Sequence, residues 1–98
     1  MSFDVQVRRV AEVDVAEAQL WYETQSTGLG AEFLREVAEV IWRLSETPFI
    51  YQVVYRDVRR ALVRRFPFIV WYRIRENVVV VLACTHGRQD PDRVKSRF

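Results

Sequence analysis

The side chains best suited to chemistry are one histidine and several arginines in the second half of the chain. His86 is the only histidine, and an imidazole with its ordinary pKa of about 6.5 can transfer a proton at neutral pH. Arg65 and Arg88 could bind a phosphate group through their planar guanidinium groups. In a reaction at a phosphate group, His86 could supply the proton that a leaving oxygen needs, and Arg88 and Arg65 could supply the cations that the transition state needs. A lone histidine at a strand end is more often a structural residue.

The arginines are also numerous enough to form a binding surface. Residues 1–50 contain four Arg and nine Asp or Glu, a charge of −5, whereas residues 51–98 contain eleven Arg or Lys and four Asp or Glu, a charge of +7. This asymmetry favours an anionic partner, either nucleic acid or an acidic protein segment. The predicted basic patch for a target or nucleic acid comprises Arg56, Arg59, Arg60, Arg64, Arg65, Arg73 and Arg88. Alternatively, the arginines only keep an exposed sheet face soluble and prevent edge pairing.

Other kinds of site lack the residues that they need. One histidine and one cysteine cannot supply the ligands of a metal centre, so we expect no metal. Gly28-Leu29-Gly30 lacks the context of a phosphate-binding loop, and we expect no cofactor. Cys84 is the only cysteine, so it cannot form an internal disulfide, and it has no visible activating partner. Tryptophans at helical and strand spacing are expected in the core rather than stacked on bases; they are Trp21, Trp42 and Trp71.

Two helices are expected in the first half of the chain. Asp14 and Glu17 have the spacing of a capping box, which predicts a helix over about 14–24. Gly28 then allows a tight reversal, because glycine adopts positive φ at little cost. A second helix is expected over about 29–45, where apolar residues recur with helical periodicity.

Strands are expected at both ends of the helical pair. Residues 3–9 alternate apolar and polar side chains as a short strand. The segments near 58–63, 67–75 and 78–86 are rich in β-branched and aromatic residues. After Gly87 we expect a loose, basic tail. The predicted fold is α+β, with an N-terminal strand and a two-helix hairpin packed on an antiparallel sheet that a three-stranded C-terminal meander completes.

Length and hydropathy limit the class of protein. A chain of 98 residues is expected to form one domain, residues 1–98. The longest apolar run, Val78 to Cys84, has seven residues, far fewer than the roughly 18 of a membrane span. No basic segment followed by an apolar one begins the sequence, so we expect no secretory signal, a cytoplasmic location and no membrane partner.

Several short motifs are distributed along almost the whole chain. They are Ala18-x-x-Trp21-Tyr22-Glu23, Gly28-Leu29-Gly30-x-x-Phe33, Val58-Arg59-Arg60-x-Leu62-x-x-Arg65-Phe66-Pro67-Phe68-x-Val70-x-Tyr72-Arg73-Ile74 and His86-Gly87-Arg88-x-Asp90-Pro91. In this combination the chain resembles the RelE/ParE superfamily of toxins from type II toxin–antitoxin systems. The resemblance implies a cognate antitoxin, encoded with the toxin, that neutralises it. It also implies that operator DNA is contacted only indirectly, through the antitoxin.

The resemblance further implies one of two cellular targets. ParE-branch toxins inhibit DNA gyrase, whereas RelE-branch toxins cut messenger RNA on the ribosome. Arg88 matches an arginine of the RelE-type nucleases, but Ile69 stands where they carry another arginine. Val94 and Phe98 occupy the tail in which those nucleases carry a tyrosine. These differences favour a ParE-like toxin that arrests growth by binding gyrase and that is not an enzyme.

Two other functions stay open at this stage. The protein is alternatively a ribosome-dependent mRNA endoribonuclease, in which Arg60, Arg65, His86 and Arg88 would support the phosphate chemistry and His86, Arg88 and Arg65 would be the catalytic residues. As some related nucleases do, it could use His86 with Glu23 as acid and base. At lower rank, it is a non-toxic, toxin-like protein that only binds its partner.

Overall fold

Residues 2–89 and 91–98 are described in a computed structural model, in which two helices pack on one face of a sheet. The elements in chain order are β1 (Asp4–Val7), α1 (Arg9–Gln25), α2 (Leu29–Glu46), a 3₁₀ turn (Pro48–Ile50), β2 (Val53–Tyr55), β3 (Val58–Leu62), β4 (Phe68–Arg75), β5 (Val78–His86) and α3 (Pro91–Lys95). The predicted α+β fold is confirmed. The second helix and the three meander strands begin and end within one residue of their predicted ranges.

Within the described ranges, the sheet has five strands in the order β1-β5-β4-β3-β2. The strands β3, β4 and β5 are antiparallel neighbours, as the predicted meander requires. In contrast, β1 pairs parallel with β5, from Asp4 opposite Val78 to Val7 opposite Val81. The sheet is therefore mixed. Apolar alternation indicates which face of a strand is buried, but it does not indicate the direction in which the strand pairs.

A short strand, β2, occupies a segment that the sequence predicts as a connector. It pairs only with the beginning of β3, where Val53 lies opposite Arg59 and Tyr55 lies opposite Val58. Three residues are too few to show a recognisable alternation. Beyond these pairs, β3 has no neighbouring strand on its outer side in the part of the chain that the structure describes.

The two long helices approach each other most closely at Gly30. A Cβ atom at this position would lie 2.8 Å from the carbonyl oxygen of Gln19, so a larger residue would push the helices apart. Gly28 precedes α2 with a φ of +89°, which glycine adopts without strain. Glu23 accepts the backbone N–H groups of Gly28 and Gly30 at 2.9 and 3.0 Å. The carboxylate of Glu23 thereby caps the first turn of α2.

An aromatic cluster between the helices and the sheet fixes the end of β5. The ring of Phe33 in α2 is fully buried and lies 5.2 Å from the ring of Tyr22 in α1, centroid to centroid. Phe66 and Phe68 pack against both rings. Phe68 also contacts the ring of His86, with 5.4 Å between centroids. The core therefore determines where His86 lies.

The first helix begins at Arg9 rather than at Asp14, so the predicted capping box is wrong. Asp14 lies inside α1, where its Oδ2 accepts the backbone N–H of Cys84 at 2.9 Å and pairs with the guanidinium of Arg97. The strand β1 pairs with β5 only as far as Val81, and Asp14 satisfies an N–H group that lies beyond this ladder. A capping pattern in the sequence cannot reveal a partner 70 positions away.

The C-terminal segment is folded rather than loose. Val94 in α3 is buried, and the ring of Phe98 lies 5.6 Å from Trp71 and 6.1 Å from Tyr55. Trp71 belongs to the sheet face opposite to that on which the two long helices pack, because side chains alternate along β4. The tail therefore covers part of the face that the sequence predicts to present arginines.

Candidate functional site

The predicted basic patch does not form one continuous surface. Arg59 lies on β3 and donates from Nη1 to the carbonyl oxygens of Tyr51 at 2.7 Å and Phe49 at 3.2 Å. Its guanidinium also lies 5.3 Å from the centroid of the Phe49 ring. These contacts attach the segment after α2 to the sheet, so this arginine has a structural role.

Arg73 is also held by the protein itself. Its side chain is only 14% exposed, and its Nε lies 3.5 Å from Oδ1 of Asp57. Its Nη2 lies 3.4 Å from the carbonyl oxygen of Phe98. The tail and the carboxylate of Asp57 thus enclose this guanidinium. A macromolecular partner cannot reach it while the tail is in place.

Arg65 and Arg56 both lie in turns with positive φ, 71° and 53° respectively. Arg65 faces α2, where its guanidinium nitrogens lie 3.5 Å from Oε1 of Glu32 and 3.8 Å from Oε2 of Glu36. Arg56 lies over the ring of Tyr55. Because the side chain of Arg65 is half-exposed, these ion pairs are worth at most about 1 kcal/mol.

Arg60 and Arg64 are exposed and share a surface depression of about 480 Å³. A third arginine, Arg43 of α2, joins them there, although the sequence pattern did not select it. The neighbouring Tyr51 hydroxyl raises the pKa of Arg43, whose Nε also lies 3.5 Å from Oε1 of Glu39. We call this region the β3 edge. Its lining residues are Arg43, Ile50, Tyr51, Gln52, Arg60, Leu62 and Arg64.

His86 and Arg88 lie together at the other end of the meander. The backbone N–H of Arg88 donates to Nδ1 of His86 at 3.0 Å, which places the proton of the neutral imidazole on Nε2. The guanidinium of Arg88 is exposed and forms no ion pair with a described residue. Two depressions adjoin His86. One is aromatic and includes Trp21, and the other is polar and includes Arg97.

We call the region formed by Trp21, His86 and Arg88 the β5 end. All three tryptophans were predicted to lie in the core, and this prediction is wrong for two of them. Trp21 and Trp42 are 59% and 60% exposed on the surfaces of α1 and α2. Trp71 is half-buried and donates from Nε1 to Oγ1 of Thr85 at 2.8 Å. Exposed tryptophans of this kind are typical of protein-binding surfaces.

The three candidates for catalysis do not converge. His86 and Arg88 are neighbours, but Arg65 points at the carboxylates of α2 and contacts neither of them. Glu23, the candidate acid–base partner of His86, is bound to two backbone N–H groups of the helical turn. Among the residues that the structure describes, no three His, Cys, Asp or Glu side chains gather as metal ligands.

Comparison with known proteins identifies the family. The family model for the ParE toxin of the type II toxin–antitoxin system parDE matches residues 5–91. The chain belongs to the ParE toxin family. No protein of curated function matches this ParE-family toxin at a significant level.

Solved structures with the same fold agree with this family. The ParE-family toxin superposes on a chain of the chromosomal ParDE system from P. aeruginosa with a TM-score of 0.75 and 16% identity, covering 87% of this chain and 96% of that one. A chain of the RelBE toxin–antitoxin complex from Mycobacterium tuberculosis gives a TM-score of 0.65 and 22% identity, and the match covers 88% of this chain and 99% of that one. A mutant E. coli RelE toxin in the free state gives a TM-score of 0.73 and 15% identity, and the match covers 99% of this chain and 94% of that one. At these identities the likeness shows the fold.

In this ParE-family toxin no described helix is long and apolar enough to cross a membrane. The sequence-based comparison with RelE-type nucleases singled out Ile69 and the tail residues Val94 and Phe98. Ile69 and Val94 are both buried, and Phe98 packs on Trp71. In the tail, Val94 and Phe98 therefore serve the packing of the C-terminal segment on the sheet.

Proposed function

We propose that this ParE-family toxin arrests growth by binding DNA gyrase and inhibiting it, and that a cognate antitoxin neutralises it. The match of the ParE family model to residues 5–91 carries this proposal. A structural neighbour from P. aeruginosa belongs to a ParDE system, and the neighbour from M. tuberculosis is a toxin–antitoxin complex. These neighbours support an antitoxin as the partner of this chain.

The arrangement of the candidate side chains supports binding rather than catalysis. RNA cleavage needs a proton donor and cations placed around one phosphate. Here the guanidinium of Arg65 is directed toward the carboxylates of Glu32 and Glu36. Inhibition by binding needs no such convergence, because exposed aromatic and arginine side chains supply most of the affinity of a protein interface.

The β5 end is the proposed gyrase-binding surface. It combines the exposed indole of Trp21 with the exposed guanidinium of Arg88, and the core fixes the position of His86 beside them. Tryptophan and arginine are the residue types most enriched at the centre of protein interfaces. A compact surface of this kind suits a folded target such as gyrase.

Ribosome-dependent mRNA cleavage is the second candidate function, and one observation favours it. The N–H at Nε2 of His86 could donate a hydrogen bond to a phosphate oxygen, and the cation of Arg88 is adjacent. The third possibility, a protein that binds its partner without toxicity, would leave both target processes unaffected.

Induction of the toxin in growing cells separates the three functions. Gyrase inhibition predicts that growth stops and that reporter plasmids lose negative supercoils while messenger RNA stays intact. RNA cleavage predicts cuts within ribosome-bound messages and normal plasmid topology, and this result would contradict the proposal. Unchanged growth would leave only the non-toxic binding protein. Trp21→Ala should restore growth in the first case, whereas His86→Gln should restore growth in the second.

A further inference from the structure

We infer that the space between α1, α2 and the sheet binds a small amphiphilic cation, an aliphatic chain that ends in an ammonium group. We call this space the helix cleft. It is lined on α1 by Ala11, Val15 and Ala16 and on α2 by Leu34, Val37 and Ile41. None of its lining residues belongs to the β3 edge or to the β5 end. The inference therefore goes beyond the proposed function and does not depend on it.

The helix cleft has a limited length. At one end the two helices are in close contact, because Gly30 leaves no room for a Cβ atom beside the carbonyl oxygen of Gln19. At the other end the N–H of Phe3 donates to the carbonyl oxygen of Ser45 at 2.6 Å, which attaches the residue before β1 to the last turn of α2. The space between these two contacts measures about 340 Å³. A dry cavity of roughly 150 Å³ holds benzene, so the helix cleft has room for a short aliphatic chain.

The floor of the helix cleft is apolar. It consists of Val70, Val81 and Cys84, three buried residues of the sheet. Among the described residues, the only buried side-chain nitrogen or oxygen without a hydrogen-bond partner is Nε of Arg73, which the tail encloses elsewhere. The floor thus offers no polar side-chain atom that a ligand would have to satisfy. An aliphatic end fits there, whereas a polar end would lose its hydrogen bonds to water.

The mouth of the helix cleft carries a single charge. Glu12 is exposed and is the only charged residue among those that line the space. Its carboxylate forms no ion pair with a described residue. The exposed guanidinium of Arg35 lines the depression that contains Trp42 rather than this one. A carboxylate beside an apolar space favours a cationic head group over a neutral one and disfavours an anion.

A helical peptide would fill the helix cleft less completely. With its side chains an α-helix is about 10–12 Å across, so it would lie over the partly exposed residues Leu34 and Ile41 at the rim. The contacts at Gly30 and Phe3 limit how far a helix could extend along the space. An occupant that reaches Val70 and Val81 has to be narrower. These limits favour a small molecule.

The test uses the full-length toxin with octylamine, which is protonated at neutral pH, and with octanol and octanoate as probes of the same chain length. Binding is followed through the methyl signals of Leu34, Val37 and Ile41 by nuclear magnetic resonance. Octylamine should shift these signals saturably and bind about fivefold more tightly than octanol, because an exposed charge pair adds a modest gain. Octanoate should bind more weakly than octanol.

Two results with the wild-type toxin would overturn the inference. Equal shifts at Leu20 and Ile50, exposed residues outside the helix cleft, would show only unspecific adsorption to apolar surface. Equal affinity for octylamine and octanol, or tighter binding of octanoate, would exclude a cation as the ligand.

Variants test the charge at the mouth separately from the space. Glu12→Gln should weaken octylamine binding about fivefold and leave octanol binding unchanged. The matched control is Glu17→Gln, an exposed carboxylate of the same helix that does not line the helix cleft, and it should bind both probes normally. Unchanged octylamine binding by Glu12→Gln would contradict the assigned role of Glu12 and the cationic class of the ligand.

Filling the space should weaken the binding of octylamine and octanol alike. Ala11→Leu places a larger side chain in the space and should weaken both at least about tenfold. Because Ala11 is fully buried and a larger residue there can disturb the fold, Ala16→Leu at the exposed rim serves as the second filling variant. It should weaken both probes about threefold while the circular dichroism spectrum stays that of the wild type. Normal binding of both probes by folded Ala16→Leu would place the ligand outside the helix cleft and overturn the inference.

Discussion

The β3 edge and the β5 end both carry exposed arginines, but the surroundings of these arginines differ. At the β3 edge, Arg60 and Arg64 adjoin an open main chain and two exposed aliphatic residues. At the β5 end, Arg88 adjoins a histidine ring and the exposed indole of Trp21. The first arrangement places cations beside aliphatic groups, and the second places a cation beside aromatic rings. The side chains around an arginine, more than its charge, determine which partner it fits.

The largest expected effect is the loss of gyrase inhibition when the β5 end is changed. Trp21→Ala with Arg88→Ala should weaken inhibition at least about 30-fold, because truncating two central interface residues costs about 2 kcal/mol or more. Arg60→Ala with Arg64→Ala is the matched pair at the β3 edge and should change inhibition less than about threefold. Inhibition is measured as the toxin concentration that halves supercoiling. If both pairs weaken it equally, the two regions do not differ in function.

The next effect distinguishes structural arginines from exposed ones. Arg59→Ala should lower the free energy of unfolding by about 2 kcal/mol, because the carbonyl oxygens of Tyr51 and Phe49 lose a charged donor. Its neighbour Arg60, whose exposed side chain makes no such bond to the described residues, should change the free energy by less than about 0.5 kcal/mol when replaced by alanine. Urea unfolding of the two variants measures both values. Similar losses of unfolding free energy in both variants would show that the bonds of Arg59 to the two carbonyl oxygens do not stabilise the fold.

A smaller change in the free energy of unfolding is expected for two arginines whose ion pairs differ in burial. Arg73→Ala should cost about 1 kcal/mol, because its enclosed guanidinium bonds Asp57 and the tail. Arg65→Ala should cost less than about 0.5 kcal/mol, because its ion pairs with Glu32 and Glu36 are half-exposed. Raising the salt concentration should remove the effect of Arg65 and preserve that of Arg73. The opposite salt dependence would contradict this assignment.

The smallest expected effect is a shift in the pKa of Tyr72, which lies beside Arg59. Burial raises the pKa of Tyr72 to about 12, and its hydroxyl donates to the carbonyl oxygen of Pro48 at 2.6 Å. Unfolded tyrosine titrates near ~10, so the unfolded chain releases this proton first and stability falls between pH ~10 and ~12. The cation of Arg59 lowers the pKa of Tyr72, so Arg59→Ala should raise it further.

Ultraviolet titration of the tyrosines measures this shift. Burial also raises the pKa of the Cys84 thiol to about 12, so a Cys84→Ala background removes the thiol from the comparison. An unchanged or lower pKa of Tyr72 in Arg59→Ala would show that the two side chains do not interact.

The parts of the fold that could be predicted are those fixed by local pattern. The helix α2 shows clean periodicity, and β4 and β5 are dense in β-branched residues, so their positions were predicted closely. The start of α1 was missed because Val10 and Val13 are exposed and blur its apolar face. The helix α3 was missed because it has only five residues, and Val94 is buried through contacts that are distant in sequence.

The candidate site was predictable in residue type but not in arrangement. Seven arginines could be named from the sequence, but their partners could not. Arg59 bonds carbonyl groups eight and ten positions away, and Arg65 meets Glu32 across 33 positions. Such partners depend on how helices and strands pack. For the same reason Arg43, on a different element from the other arginines of the β3 edge, was not foreseen.

Gyrase supercoiling with purified components tests the central claim most directly. Relaxed plasmid, gyrase and ATP are incubated with increasing amounts of the toxin, and a parallel reaction contains ribosomes translating a defined message. We predict that supercoiling is lost as the toxin increases, that Trp21→Ala with Arg88→Ala restores it, and that the message stays uncut. Message cleavage on the ribosome with unimpaired supercoiling would contradict the account.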